Sequence, residues 1–356
     1  MMAGAMNVFI YEYTCGAGAE DAGADALRRE GLAMLTAVLE DFTRLPGVRP
    51  VALVHECCAR LLRPELARRL LAGTEAEPFR ALAREADYAL VIAPESGGRL
   101  ETRCRWALEA GAQLLGPSPR AVRLAGDKLV LADRLRRCSV PTPPVFGRPD
   151  RVRAGDFPLV VKPRHGAGSQ ATWLVPRPCE LPGCLARARQ NEPADELLVQ
   201  PFIPGRPASV SLLLGPRARL CLPPVAQHLS REGRFRYQGG SLPLPPDLAS
   251  RAADLACRAA AAVPGLRGYV GVDLVLGPAA DGRGDAVIEI NPRLTTSYVG
   301  LRTATPDNLA EAMLRAVRGE ALPALRWRAG GVWFRADGRR RARAGPAGGA
   351  HYQPLR

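Results

Sequence analysis

The sequence predicts an α/β unit followed by an α+β region, and three observations carry that expectation. Over the first third, short apolar strands alternate with segments of helical apolar spacing, the pattern of a parallel, Rossmann-like doubly wound sheet. From Leu159 onward, strand-like runs bounded by Gly, Pro and Asp crowd together, as antiparallel strands do. At 356 residues the chain exceeds a single small core and implies two or three domains.

Taken in order, Asn7–Tyr13 reads as the first strand, closed by a turn over Thr14–Gly18. A helix spans Ala24–Leu45, a strand Val51–His55, a helix Arg60–Leu71 and a strand Tyr88–Pro94. A helix near Thr102–Ala110 and a short strand Gln113–Gly116 complete the unit, whose ligands are expected at the strand C-termini. The glycines after the first strand do not form GxGxxG, so a dinucleotide role is not supported. Pro117-Ser118-Pro119 marks a hinge, and one helix is expected over Arg120–Arg137. After the proline-rich break Ser139–Pro144 come strands at Leu159–Lys162, Ala171–Val175, Glu196–Gln200, Ala208–Leu214, Ala218–Leu222, Val270–Leu276 and Ala286–Ile290. Helices are expected around Cys184–Gln190 and over Asp247–Ala262 and Pro306–Val317. The segment 335–356 concentrates Arg with Gly, Pro and Ala and is expected to be an unstructured tail.

Composition narrows the function. The formal net charge is +14, but outside the tail the arginines lie among Glu and Asp in helices, so nucleic acid is not the expected partner. No apolar run suits a bilayer span and Met1 to Met6 lack the layout of a secretory leader, so a cytoplasmic protein is expected. Nine cysteines without a CxxC pair read as reduced thiols; a zinc site at His55, Cys57 and Cys58 would need a fourth ligand. Of 49 basic residues only Lys128 and Lys162 are lysine, leaving 47 arginines. Lysine against that habit marks positions needing a compact ammonium, as a phosphate held at short range does. Lys128 opens a helix; Lys162 ends an apolar strand and precedes the glycine loop His165-Gly166-Ala167-Gly168-Ser169. His165 suits a phosphate contact or an ordinary loop role equally.

The other chemical constellation is a hairpin. Val270–Leu276 and Ala286–Ile290, joined by the Gly-rich Gly277–Gly284, bring Asp273 opposite Glu289, with Asn291 on the same face. Two carboxylates and an amide oxygen suit a hard cation such as Mg²⁺ or Mn²⁺. Arg293, two residues further, can meet a transferring phosphoryl group.

Lys128, Lys162 with its glycine loop, Gln200-Pro201-Phe202-Ile203-Pro204-Gly205, Asp273 and Glu289-Ile290-Asn291-Pro292-Arg293 stand in an order that resembles the ATP-grasp superfamily, over roughly residues 5–325. The resemblance implies a Rossmann-like pre-ATP-grasp domain at 1–118 and two ATP-clamping lobes at 119–194 and 195–330. It implies ATP contacts from Lys128, Lys162, Gly166, Gly168, Ser169, Gln200, Pro201, Phe202 and Ile203. It further implies metal ligands Asp273, Glu289 and Asn291, with catalytic roles for Lys162 and Arg293. The chain departs from the pattern at Gly205-Arg206-Pro207, where an acid for the ribose hydroxyls is missing. Glu289–Arg302, Phe9–Tyr13 and Arg29–Leu35 are similar to stretches of the tyramine–glutamate ligases of methanofuran biosynthesis. That likeness implies an ATP-dependent carboxylate–amine ligase acting through an acyl phosphate on two small molecules. Glu12, Thr295, Thr296, Ser297 and Arg302 are then the expected substrate residues, Arg302 as a bidentate carboxylate clamp. A hydroxyl-rich helix cap is the competing reading of Thr295–Ser297. A nucleotide-binding regulator without turnover is the competing function, and a homodimer is compatible with the sequence.

Overall fold

The computed structural model describes residues 5–17, 24–70, 75–146, 151–166, 169, 171–191 and 196–344. Five parallel strands form the first sheet: β1 (Met6–Glu12), β2 (Val48–His55), β3 (Ala67–Leu70), β4 (Tyr88–Ile92) and β5 (Gln113–Leu114), in the order β3-β2-β1-β4-β5. Helices Ala24–Thr43, Ala76–Glu85 and Arg99–Glu109 supply crossovers. Val8, Phe9, Ile10 and Tyr11 of β1 are fully buried, as a strand covered on both faces requires. Strand order reverses between β1 and β4, so the crevice beyond their C-termini, near Glu12 and Glu95, is the place where such sheets bind ligands.

A three-stranded antiparallel sheet follows, built from β6 (Leu159–Pro163), β7 (Trp173–Val175) and β8 (Leu197–Pro201) with β6 central. It packs its own small core against the helix Leu181–Asn191 through Leu159, Val161, Val175, Ala188 and Val199. The third sheet has eight strands: β9 (Arg206–Leu214), β10 (Arg219–Cys221), β11 (Val225–Leu229), β12 (Tyr237–Leu242), β13 (Gly268–Leu276), β14 (Ala286–Asn291), β15 (Gly330–Arg335) and β16 (Arg340–Ala344). Its order is β14-β13-β9-β11-β12-β15-β16, with β10 beside β9. The helix Pro246–Ala261 joins Val210, Leu212, Val270 and Val272 in one core. In another core, helices Ser297–Ala304 and Leu309–Arg318 meet Leu35, Val38 and Phe42 of Ala24–Thr43. That core also contains Val8 and Ile10, so the first sheet and the eight-stranded sheet share one apolar interior.

Several expectations are corrected. Arg60–Leu71 is not a helix: Pro64 opens a 3-10 turn, Pro64–Leu66, and the chain then pairs as β3. The expected helix Arg120–Arg137 is two, Pro119–Gly126 and Lys128–Arg137, broken at Asp127, whose extended backbone (φ −91°, ψ 98°) lets its carboxylate cap the second. The expected unstructured tail is partly ordered, because Arg340–Ala344 pairs with β15; residues 345–356 lie outside the described ones. No described helix is long and apolar enough to cross a membrane. Among the described residues no group of three or more His, Cys, Asp or Glu is placed to hold a metal, which removes the zinc reading at His55, Cys57 and Cys58.

Candidate active site

A cleft of about 360 Å³ is lined by residues of the three-stranded and eight-stranded sheets. Lys162, on β6, turns its buried ammonium into it. Burial, then the nearby Lys128, pushes the Lys162 pKa down to about 8, with Glu289 opposing. Lys128 is the first residue of its helix; its Nζ donates to the Gly166 carbonyl at 2.7 Å and stands 3.8 Å from the Glu289 carboxylate. Asp127 fixes this lip. It accepts from the amides of Leu129 and Val130 at 3.1 and 3.2 Å and from Arg164 at 2.9 and 2.7 Å, tying the helix start to the glycine loop. Gly166 and Ser169 line the cleft; Gly168 lies outside the described residues.

The opposite lip is the β13–β14 hairpin. Asp273 and Glu289 are direct cross-strand partners, followed by a bulge after Asp273. Asn291 Nδ2 donates to one Asp273 oxygen and Gln227 Nε2 to the other, each at 3.0 Å. Burial, reinforced by Glu289, pushes the Asp273 pKa up to about 7. Burial acts on Glu289 in the same sense, but Lys128 and Lys162 outweigh it and hold its pKa below the usual carboxylate value. Two half-buried carboxylates and a buried amide, all able to offer oxygen, fit a hard divalent cation.

At the hinge, Gln200, Pro201, Phe202 and Ile203 line the cleft. Phe202 stacks with Phe235, ring centroids 6.0 Å apart and 27° between planes. Phe235 holds a left-handed backbone (φ +51°), a conformation that a bulky residue adopts only when its surroundings impose it. Gly205 is required there, since a Cβ would stand 2.4 Å from the Leu276 carbonyl oxygen. Among the described residues the acids lining the cleft are Glu30, Asp273 and Glu289.

Arg293 also lines the cleft, and its Nε donates to Glu95, just beyond β4, at 2.9 Å. Thr295, Thr296 and Ser297 follow. Thr296 occupies the N-cap position of Ser297–Ala304 but makes no capping bond; its hydroxyl donates to Glu30 instead. Tyr269 reaches Ser211 at 2.5 Å and Thr295 at 3.4 Å.

Two expected substrate residues are not in the cleft. Arg302 is committed elsewhere: its Nε and Nη2 bind the buried Asp41 carboxylate at 3.0 and 2.7 Å, and Nη2 is 3.1 Å from Glu40. A guanidinium satisfied by a buried carboxylate has no fork left for a substrate. Glu12, 3% exposed, accepts from the Thr14 hydroxyl at 2.7 Å and the Cys15 amide at 2.8 Å, capping the turn Tyr13–Gly16. Sequence reasoning missed Glu30, Glu95, Gln227, Phe235 and Tyr237. Two of them left a signal: Glu95, as the first acid after the strand at the switch point, and Glu30, within the stretch Arg29–Leu35 that resembles the tyramine–glutamate ligases.

The cleft lies between the three-stranded and eight-stranded sheets, cationic on one lip and oxygen-rich on the other. The ATP-grasp domain pattern matches residues 125–297 and the pre ATP-grasp 3 domain pattern residues 57–122. The chain thus carries a pre-ATP-grasp domain followed by an ATP-grasp domain, and it is similar to ligases of that superfamily. Among its relatives is the tyramine–L-glutamate ligase of Methanocaldococcus fervens, 26% identical over 324 residues, 88% of this chain and 95% of that protein. A solved ATP-grasp superfamily protein from Archaeoglobus fulgidus superposes with a TM-score of 0.70 at 26% identity, covering 93% of this chain and 92% of the other. The biotin carboxylase domain of the Hydrogenobacter thermophilus 2-oxoglutarate carboxylase, solved with MgADP, ADP and bicarbonate, also gives 0.70. At 17% identity over 92% of this chain and 73% of that one, it shows the fold alone.

Proposed function

We propose that the protein joins a carboxylate of an amino acid, glutamate in the first instance, to an aromatic amine such as tyramine, forming an amide with release of ADP and phosphate. The carrying observation is the near full-length match to the Methanocaldococcus fervens enzyme of that name.

In this reading Lys128 and Lys162 grip the phosphates as point charges, and the loop at Gly166 and Ser169 covers them. Gln200, Pro201, Phe202 and Ile203 border the adenine, with Phe235 stacked on Phe202. Asp273, Glu289 and Asn291 would hold Mg²⁺ or Mn²⁺, whose charge would screen the phosphates. Arg293, oriented by Glu95, faces the transferring phosphoryl group. A substrate carboxylate oxygen attacks the γ-phosphorus in line and ADP leaves. The amine, deprotonated to its free base, then attacks the acyl carbon; the C–N bond forms, the acyl C–O bond breaks, and phosphate departs with the second amine proton lost to phosphate or solvent. The side chains contribute positioning and charge compensation, where most phosphoryl-transfer catalysis lies. ADP release from a matrix of carboxylates and amines tests this. Turnover should require one of each, with glutamate plus tyramine among the active pairs; ADP release independent of any amine would refute the reading.

A further inference from the structure

Beside Arg293 and Thr296 stands a carboxylate that neither the phosphate nor the metal reading employs. Glu30 lies on the helix Ala24–Thr43, and of the described residues lining the cleft it alone comes from the first α/β unit. Its Oε1 accepts from the Thr296 hydroxyl, and no described donor reaches its second oxygen. Arg293 is its closest source of positive charge, yet that guanidinium is already bound to Glu95 at 2.9 Å. Among the described residues Glu30 has no ion-pair partner within 4.0 Å, although most acids of the chain have an arginine. Close by, the Tyr237 hydroxyl is buried, with Ser297 beside it but no well-formed hydrogen bond among the described residues, and it feels the charge of Glu30. Burial pushes the Glu30 pKa up, with Thr296 and Arg293 pulling it back.

A half-buried carboxylate with an open oxygen, next to a buried phenol oxygen with a lone pair to spare, is a pair of acceptors suited to a cationic donor. An ammonium supplies three N–H donors and no acceptor, and its charge is the one this corner lacks. We propose that Glu30 is the ammonium anchor of the cleft, binding the protonated amino group of a substrate with the Tyr237 hydroxyl as second acceptor. The inference rests on the ligase reading above. Two substrate groups carry this chemistry: the amine that becomes the amide nitrogen, and the α-ammonium of the amino acid that supplies the carboxylate.

The experiment compares wild type with Glu30→Gln, which keeps shape and removes charge, in the full chain with ATP and Mg²⁺. Amide formation is read with glutamate and tyramine. Hydroxamate formation is read with neutral hydroxylamine replacing tyramine, and again with glutarate, which lacks the α-ammonium, replacing glutamate. The KM of the ammonium-bearing substrate should rise roughly tenfold or more, while the Kd of a non-hydrolysable ATP analogue changes by less than about twofold. A rise confined to tyramine, with the glutamate hydroxamate reaction intact, assigns Glu30 to the attacking amine. A rise for glutamate but not glutarate in the hydroxamate reaction assigns it to the α-ammonium. Unchanged KM values for both ammonium substrates, or nucleotide affinity falling in step, would overturn the anchor. A wild type that forms neither amide nor hydroxamate removes the ligase reading and the anchor with it, and is recognised before any variant is made.

Discussion

Lys162 concentrates the residue-scale argument. Its ammonium is buried between a second lysine and a carboxylate, and a triphosphate is the ligand that would relieve the repulsion. Lys162→Ala should weaken binding of a non-hydrolysable ATP analogue by about 1.5–3 kcal/mol, and Lys162→Arg should not restore it because a planar fork cannot replace a point charge. Wild-type affinity in the arginine variant would remove the argument from lysine choice. The same residue sets a pH dependence. Its pKa is about 8 in the free protein, and the anionic ligand raises it, so binding takes up a proton above that pH. Affinity should therefore be flat below about pH 8 and fall as pH rises beyond it, by up to about tenfold per unit. Titrations between pH 7 and 9.5 check this; a flat profile would place the ammonium away from the phosphates. Both lysines were legible because an arginine-rich chain used lysine only twice. The contacts of Glu30 and Glu95 were not: they meet Thr296 and Arg293 across 266 and 198 residues, and no local pattern encodes such pairings.

Among the elements, the β13–β14 hairpin was readable to the residue pair, since alternation around Asp273 and Glu289 fixes which side chains share a face. Glu289→Gln should lower ATP turnover at least about tenfold and raise the Mg²⁺ concentration required; full turnover at low Mg²⁺ would put the ion elsewhere. Strands β11, β12 and β15 escaped notice. In β12 the pair Gly239-Gly240 interrupts the apolar pattern, yet close packing demands it: a Cβ on Gly239 would sit 2.0 Å from the Phe334 carbonyl oxygen. The helix Ser297–Ala304 shows why Arg302 misled. Its single arginine behind a run of hydroxyl residues suits a substrate clamp, but the tertiary partner is Asp41, which also accepts from Tyr298 at 2.6 Å. Asp41→Ala removes the buried, two-bond partner of Arg302, leaving it only the half-exposed Glu40, and should destabilise the fold by about 3–5 kcal/mol, seen as a lower midpoint in thermal or urea unfolding. A midpoint unchanged from wild type would mean that this network does not hold the helix.

For the molecule as a whole, the sequence shows the order of parts but not how they close on one another. The parallel unit contributes Glu30 to the cleft and Glu95 to the orientation of Arg293, and it shares an apolar core with the eight-stranded sheet. It therefore completes the site rather than merely preceding it. Lysines on one lip, carboxylates on the other and Arg293 between the parallel unit and the hairpin suit phosphoryl transfer, which in the proposed function goes to a carboxylate before an amine arrives. The most direct test follows the oxygen. Glutamate labelled with ¹⁸O in its carboxylates is incubated with ATP, Mg²⁺ and tyramine, and the released phosphate is analysed by mass. An acyl phosphate carries one carboxylate oxygen into each phosphate released, in step with ADP and amide. Unlabelled phosphate accompanying amide formation would contradict the account.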